Sequence, residues 1–220
     1  MLIRTLVLDL DGTLVDSVPD LTAALNRLMV NRALVAFSAS EVTAMVGDGA
    51  RVLVERALTA RGLAFDAAAL DDFLADYGAN SAIETRLYPD VATTLQRLQT
   101  AGWRLAVCTN KPEKPARHVI AAMGIADLIS AVGGGDSYPT RKPDPAHLLA
   151  TIRDAGGSVQ ASLMAGDHHN DVAAAAGAGV PAIFAAWGYG APKMAAGAAA
   201  VAGGFAELAE IAERLLPMPG

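Results

Sequence analysis

Two aspartates, Asp9 and Asp11, stand two residues apart directly after the apolar run 6–8. Side chains alternate along a strand, so these two carboxylates start on the same face. Like charges at such a spacing repel each other unless a cation lies between them or their protonation states differ. Gly12 frees the backbone to turn, and Thr13 adds a hydroxyl and an N–H. The segment therefore has the outline of a Mg²⁺ and phosphate site at the carboxyl end of a strand.

Short apolar runs alternate with helical patterns along the chain, and the strands and helices that they predict must position this segment. This alternation predicts an α/β fold with a Rossmann-like parallel sheet core and helices on both faces. The predicted strands are Thr5–Leu10, Arg104–Cys108, Leu128–Val132, Ser162–Ala165 and Pro181–Ala185. The predicted core helices are Ala92–Ala101, Pro115–Met123, Pro145–Ala155, Asp171–Ala178 and Phe205–Leu216.

The stretch from Ser17 to Arg86 interrupts this alternation, because it has helical patterns but no strand signal. Its predicted helices are Leu21–Leu34, Ala50–Arg61 and Ala67–Ile83. An insert directly after the first strand lies over the carboxyl end of that strand, where ligands bind in open α/β sheets. We therefore expect a catalytic core domain of residues 1–16 and 87–220, and a helical cap domain of residues 17–86.

Composition excludes several classes of function. The formal net charge of −6 and the pI of about 5.1 argue against a nucleic-acid or anionic membrane surface. The single cysteine, Cys108, permits neither an internal disulfide nor a thiolate metal cluster. The N-terminus lacks the apolar region of a signal peptide, and no later apolar stretch is long enough for a bilayer span. We expect a cytoplasmic monomer or homodimer without nucleic-acid or membrane partners.

Three further polar segments follow predicted strands, and a parallel sheet brings strand carboxyl ends to one crevice. They are Thr109-Asn110-Lys111, Arg141-Lys142-Pro143 and Gly166-Asp167-His168-His169-Asn170-Asp171. Each has a plainer interpretation. Thr109 could cap the helix that begins near Pro112, Asp171 could be a helix N-cap, and Lys142 could be a solvated surface lysine. Asp9 and Asp11 could belong to an ordinary turn.

Taken together, the four segments resemble the motifs of the haloacid dehalogenase superfamily. The resemblance implies a Mg²⁺-dependent phosphomonoester hydrolase. Asp9 is then the nucleophile that forms an aspartyl-phosphate, and Asp11 protonates the leaving alcohol and later activates water. The phosphate would be bound by Gly12, Thr109, Asn110 and Lys142, of which Thr109 and Lys142 also take part in catalysis. The metal would be held by Asp9, the backbone carbonyl of Asp11 and Asp167, with Asp171 as a further ligand or as the residue that orients Lys142.

The resemblance also indicates which substrate to expect. Members that cleave carbon–halogen or carbon–phosphorus bonds lack an aspartate at the position of Asp11, and the insert contains no lysine for the Schiff base of a phosphonate-cleaving relative. The segment 45–58 is similar to the cap of bacterial phosphoglycolate phosphatases, so we expect a small phosphorylated metabolite, 2-phosphoglycolate above all. Arg51 could bind the substrate carboxylate, or it could pair with Glu55 on the helix surface.

Other functions stay open at this point. The same residues fit a phosphatase for another small phosphate ester such as a sugar phosphate, or a phosphosugar mutase. A non-catalytic phospho-acceptor domain and an interaction protein are more distant alternatives. His168 and His169 could bind a metal, although Mg²⁺ prefers oxygen ligands, or His168 could line the crevice. The exact substrate, the oligomeric state and the extent of cap motion do not follow from the sequence.

Overall fold

A computed structural model describes residues 3–217 of the chain. Its strands, in chain order, are β1 (Thr5–Leu8), β2 (Val15–Asp16), β3 (Arg86–Leu87), β4 (Arg104–Cys108), β5 (Ala131–Gly133), β6 (Ser162–Gly166), β7 (Ala182–Ala185) and β8 (Ala200–Ala202). Within the described range, six of them form a parallel sheet in the order β5-β4-β1-β6-β7-β8. Strand β1 is thus central, which places the residues that follow it in the middle of the sheet edge.

Helices cover both faces of this sheet, as predicted for the α/β fold. The helices, in chain order, are α1 (Val18–Asn31), α2 (Ala39–Thr43), α3 (Ala50–Ala60), α4 (Ala67–Asn80), α5 (Val91–Thr100), α6 (Glu113–Ala122), α7 (Pro145–Asp154), α8 (His169–Ala178) and α9 (Phe205–Leu215), of which α5 to α9 cover the sheet. Alternation along β1 divides the core: Leu6 and Leu8 pack with α5, α6 and α9, and Val7 packs with α7 and α8. All three side chains are fully buried.

Helices α1 to α4 have a hydrophobic core of their own, separate from the two cores of the sheet. The chain enters them from β2 and leaves them into β3, and these two strands pair with each other antiparallel through Val15↔Leu87 and Asp16↔Arg86. Asp20, in α1 at the start of this segment, binds the backbone at its end. Its buried carboxylate accepts bonds from the N–H groups of residues 83–85 at 2.9–3.1 Å and from the Thr85 hydroxyl at 2.7 Å. The division into core and cap at residues 16/17 and 86/87 stays a proposal, which this packing supports.

Several local predictions were wrong. The β2–β3 pair was missed because strands of two residues have no periodicity to detect. Helix α2 lies between the predicted helices Leu21–Leu34 and Ala50–Arg61, where no helix was predicted. Ser38 accepts from the Glu41 N–H at 3.3 Å in a capping box, so the serine begins a helix. The strand predicted at Leu128–Val132 is a 3₁₀ turn at Ala126–Leu128 followed by β5.

Candidate active site

Lys142 lies at the centre of the four predicted segments. Its ammonium is 2.9 Å from Asp9 Oδ1 and 2.6 Å from Asp171 Oδ1, and it donates to the Cys108 carbonyl. The side chain is 2% exposed, so it is not the solvated lysine of the plainer interpretation. Burial alone lowers the pKa of Lys142, but Asp171 and Asp9 outweigh it and hold the pKa above its usual range. The lysine is therefore a permanent cation between two carboxylates.

Asp9 is fixed by the backbone at the end of β1. Its N–H donates to the Ala165 carbonyl on β6 at 2.8 Å, and its Oδ1 accepts from the Leu10 N–H at 2.8 Å. Burial raises the pKa of Asp9 to about 6, while the neighbouring Lys142 acts in the opposite direction. Desolvation thus outweighs the ion pair, and an additional positive charge at this point would lower the free energy of the ionised form.

Asp167 follows β6 and faces Asp9. The Thr13 hydroxyl donates to its Oδ1 at 2.9 Å, and the N–H groups of Tyr189 and Gly190 donate to its Oδ2 at 2.8 and 3.3 Å. Burial, together with the charges of Asp9 and Asp171, raises the pKa of Asp167 to about 8. The three donors therefore orient the Asp167 carboxylate, but they do not offset the free-energy cost of ionising it in this buried position.

A divalent cation fits this cluster. One oxygen from each of Asp9, Asp167 and Asp171 lies within 4.8 Å of the others. The donors are all oxygens, the set that Mg²⁺ prefers, and Lys142 is the cation that contacts two of them.

Gly12 is required by the close approach of Asp167. Its φ is +84°, a conformation that side chains with a Cβ rarely adopt, and a Cβ here would come 2.3 Å from Asp167 Oδ2. The predicted phosphate-binding glycine thus also makes room for the metal-site carboxylate.

Asp11 has a partner that the sequence reasoning missed. Lys111 Nζ lies 2.7 Å from Asp11 Oδ1, and the Ser17 hydroxyl donates to the same oxygen at 2.5 Å. The lysine side chain is 4% exposed. Lys111 is one of four lysines in the chain and stands two residues after Thr109, and this position was the available signal.

Thr109 and Asn110 lie at the end of β4. Thr109 is 1% exposed, its N–H donates to the Gly133 carbonyl at 2.9 Å, and its hydroxyl accepts from the Lys111 N–H at 3.2 Å. It does not cap α6, whose N-cap is Pro112. The Asn110 amide donates to the carbonyls of Gly47 and Lys142 at 3.1 and 3.0 Å, so it joins the cap to the core.

Asp171 has two roles in the structure. It is the third residue of α8, and its Oδ2 accepts from the His168 N–H at 3.0 Å as half of a capping box, while its Oδ1 pairs with Lys142. The helix start therefore fixes the carboxylate that orients the lysine. The N-cap of α8 is His168, so Asp171 is not the N-cap considered from the sequence but the N3 residue of the capping box.

The two histidines lie where α8 begins and meet the cap. His168 is the N-cap residue of α8, and a Cβ on Gly47 of the cap would come 2.7 Å from its ring, so the two domains are in close contact here. The rings of His168 and His169 are 4.1 Å apart, and their nitrogens lie within 4.8 Å of an Asp48 oxygen. Burial and the neighbouring His169 lower the pKa of His168.

The crevice between cap and core has two lobes, and both contain Asp9 and Asp11. The smaller has a volume of about 50 Å³ and the larger about 410 Å³. Arg51, the predicted cap residue for substrate recognition, lines neither lobe: its guanidinium stacks on the Phe65 ring at 4.3 Å. Further along the same helix, Arg56 lines the larger lobe and pairs with Asp48.

Comparisons with known proteins agree with this geometry. A family model described as haloacid dehalogenase-like hydrolase matches residues 3–179. A phosphoglycolate phosphatase of Rhodospirillum rubrum is 43% identical over 94% of this chain and 90% of its own, and one of Agrobacterium fabrum is 41% identical over 83% and 80%. The crystal structure of a predicted phosphoglycolate phosphatase from Haemophilus somnus 129PT has a TM-score of 0.87 at 33% identity, covering 95% of this chain and 97% of that one. Over residues 3–217, none of the helices has the length and hydropathy needed to cross a bilayer.

Proposed function

The chain belongs to the haloacid dehalogenase-like hydrolases, and within that family we propose that it is a Mg²⁺-dependent phosphomonoesterase whose substrate is 2-phosphoglycolate. The observation that carries the reaction type is the position of Asp9. Its carboxylate is at the end of the central strand, 2.9 Å from a buried ammonium and beside the carboxylates of Asp167 and Asp171. A carboxylate in such surroundings suits nucleophilic attack on a phosphate ester, which itself carries negative charge and binds together with a cation.

In the proposed reaction, Asp9 attacks the phosphorus of the monoester and an aspartyl-phosphate forms as the ester oxygen leaves. Asp11 donates a proton to that oxygen and then takes one from the water that hydrolyses the intermediate. Lys142, the Thr109 hydroxyl and the Asn110 N–H bind phosphoryl oxygens as charge shifts between them. Gly12 lets the backbone of this turn approach the phosphate closely.

Asp9, Asp167 and the backbone carbonyl of Asp11 would hold Mg²⁺, and Asp171 would act through Lys142. The ion supplies the positive charge that lets an anionic nucleophile approach an anionic phosphate. The residues fit it, because oxygens of Asp9, Asp167 and Asp171 converge, and because burial, with the neighbouring carboxylates, raises the pKa values of Asp9 and Asp167 despite the nearby Lys142.

The substrate assignment is supported by the names of the relatives, which match over most of the chain. It is also supported by the small lobe, in which the ammonium of Lys111 lies beside Asp11. A cation next to the phosphate position suits a phosphate ester that carries a second anionic group. Arg51, which stacks on Phe65, stays a competing assignment for that group.

Steady-state kinetics on a panel of phosphomonoesters with Mg²⁺ tests the proposal. The highest kcat/KM is expected for 2-phosphoglycolate, and Asp9→Asn should abolish turnover whereas Asp127→Asn, at an exposed position, should not. Borohydride trapping followed by mass spectrometry should locate the phosphorylated residue at Asp9. A sugar phosphate with a kcat/KM well above that of 2-phosphoglycolate, or isomerised rather than hydrolysed hexose 1-phosphate, would refute the substrate assignment.

A further inference from the structure

The smaller lobe of the crevice has two polar groups that the proposed chemistry does not use fully. One is Lys111, on the core, and the other is Tyr77, on helix α4 of the cap. The Lys111 ammonium lies 4.7 Å from the centre of the Tyr77 ring. Both residues are almost completely buried, at 6% and 3% exposure of the whole residue.

The Tyr77 hydroxyl has no hydrogen-bond partner of good geometry among residues 3–217. Most buried hydroxyls are paired, because an unpaired one has lost its water without replacement. Burial raises the pKa of Tyr77 to about 12, although Lys111 nearby acts in the opposite direction, so the phenol keeps its proton and remains a donor. Its ring stacks on Phe73 at 5.6 Å with the planes 4° apart, which limits how it can turn.

We propose that Tyr77 and Lys111 together bind the carboxylate of the substrate, and that they determine specificity for a phosphate ester bearing a second anionic group. This inference rests on the proposed function. Both groups can donate: the phenol has one O–H, whose oxygen can also accept, and the ammonium has three N–H groups, of which one is donated to Asp11. A carboxylate offers acceptors only, so it complements both.

The volume of the lobe agrees with this assignment. About 50 Å³ accommodates a few water molecules, since roughly 10–15 Å³ takes one. A carboxymethyl group has the size of a few waters, so the lobe matches it in volume. The remaining walls of the lobe are largely apolar, with Leu21, Leu53 and Leu74 among them. Low polarity strengthens charge-assisted hydrogen bonds and penalises a substrate that leaves the donors unpaired.

The binding pair spans the two domains, which gives the cap a part in recognition. Lys111 comes from the segment after β4, and Tyr77 comes from α4. A substrate carboxylate that accepts hydrogen bonds from both residues adds a link between cap and core. This link exists only when the substrate is bound. A neutral phosphate ester would leave the Tyr77 hydroxyl as unpaired as it is in the free enzyme.

The test compares 2-phosphoglycolate with 2-hydroxyethyl phosphate, in which a neutral alcohol replaces the carboxylate. Tyr77→Phe removes only the hydroxyl, and we expect a 10- to 100-fold lower kcat/KM on 2-phosphoglycolate with a change below about twofold on the neutral ester. Lys111→Met also disturbs Asp11, so kcat/KM should fall on both substrates, and the ratio of the two should fall by a further tenfold or more. Lys114→Met, an exposed lysine three positions on, is the matched control and should leave the ratio unchanged.

Direct binding separates recognition from catalysis. In an Asp9→Asn background, calorimetry with 2-phosphoglycolate should show a Kd at least tenfold weaker when Tyr77→Phe is added, and thermal unfolding should verify that both proteins are folded. An unchanged substrate ratio and an unchanged Kd would overturn the inference, as would a loss of preference that follows Arg51→Ala instead. Failure of the wild-type protein to hydrolyse 2-phosphoglycolate would instead refute the proposed function, and the two outcomes are therefore distinguishable.

Discussion

Replacing Asp9 by asparagine should stabilise the metal-free protein, because the native fold buries this carboxylate at a cost. The pKa of Asp9 rises from 3.8 to about 6, after the attraction of Lys142 has been included. A shift of about two units corresponds to roughly 3 kcal/mol between the two protonation states. Asp9→Asn keeps the shape of the side chain and removes its charge, so the free energy of unfolding should rise by up to about 3 kcal/mol at neutral pH.

The pH dependence of this gain has a definite sign. Between pH 3.8 and about 6 the folded protein holds the Asp9 proton more tightly than the unfolded chain does. The wild-type protein therefore loses stability as the pH rises through this window, and the loss is complete above it. The advantage of Asp9→Asn should be largest above about pH 6 and should disappear near pH 4.

Urea denaturation in EDTA, followed by circular dichroism at pH 4 to 8, measures this difference. Added Mg²⁺ at 1,000 times its Kd should reverse the order, because an ion that binds only the folded state then adds about 4.1 kcal/mol to wild type, and asparagine offers it a neutral amide oxygen in place of a charged carboxylate. Asp127→Asn is the matched control at an exposed position. A metal-free Asp9→Asn protein that is less stable than wild type at pH 8 would refute the reasoning, since the carboxylate would then support the fold.

Three other predictions concern the hydrogen bonds of Asp20, the turn at Gly12 and the carboxylate cluster proposed to bind the metal. Asp20→Ala leaves the N–H groups of residues 83–85 without their acceptor, so urea denaturation should show a loss of about 3–5 kcal/mol; a loss below 1 kcal/mol would contradict it. Gly12→Ala should abolish Mg²⁺ binding measured by calorimetry, because its Cβ would meet Asp167; binding at wild-type affinity would argue against the crowding. Since the pKa of Asp167 is about 8, its proton competes with Mg²⁺, and the measured Kd should weaken up to tenfold per pH unit below pH 8; a flat profile between pH 6.5 and 8.5 would exclude this competition.

The α/β fold and the family were predictable because they depend on local patterns that the sequence displays directly. Buried strands are apolar throughout, and Asp9 and Asp167 directly follow them, so residue types at strand ends suffice to select these two, whereas Lys142 was selected from the Lys-Pro pair between a predicted strand and the next helix. The structure brings these three together around one point. Their catalytic roles remain proposals that the kinetics above would test.

The cap residues were less predictable because their positions depend on how α1–α4 pack on the core. Arg51 and Arg56 are both cations on α3, and helical periodicity does not say which of them faces the crevice when both sides of the helix carry polar residues. The sequence pattern predicts only that Tyr77 is a buried residue of α4. A role for its hydroxyl is indicated by the proximity of Lys111, which is 34 positions away in sequence. Contacts of this kind arise from tertiary packing, and no periodic pattern encodes them.

The β2–β3 pair has a consequence for how such a chain can change. Because these entry and exit strands are bonded to each other, the insert is a closed loop whose ends are already held together at the core. Loop-closure entropy grows only slowly with length, by about 0.6 kcal/mol per doubling. An insert of different length or architecture could thus be exchanged between residues 16 and 86 at small energetic cost to the sheet. The catalytic carboxylates would stay in place while the walls of the crevice, and with them the choice of phosphate ester, diverge.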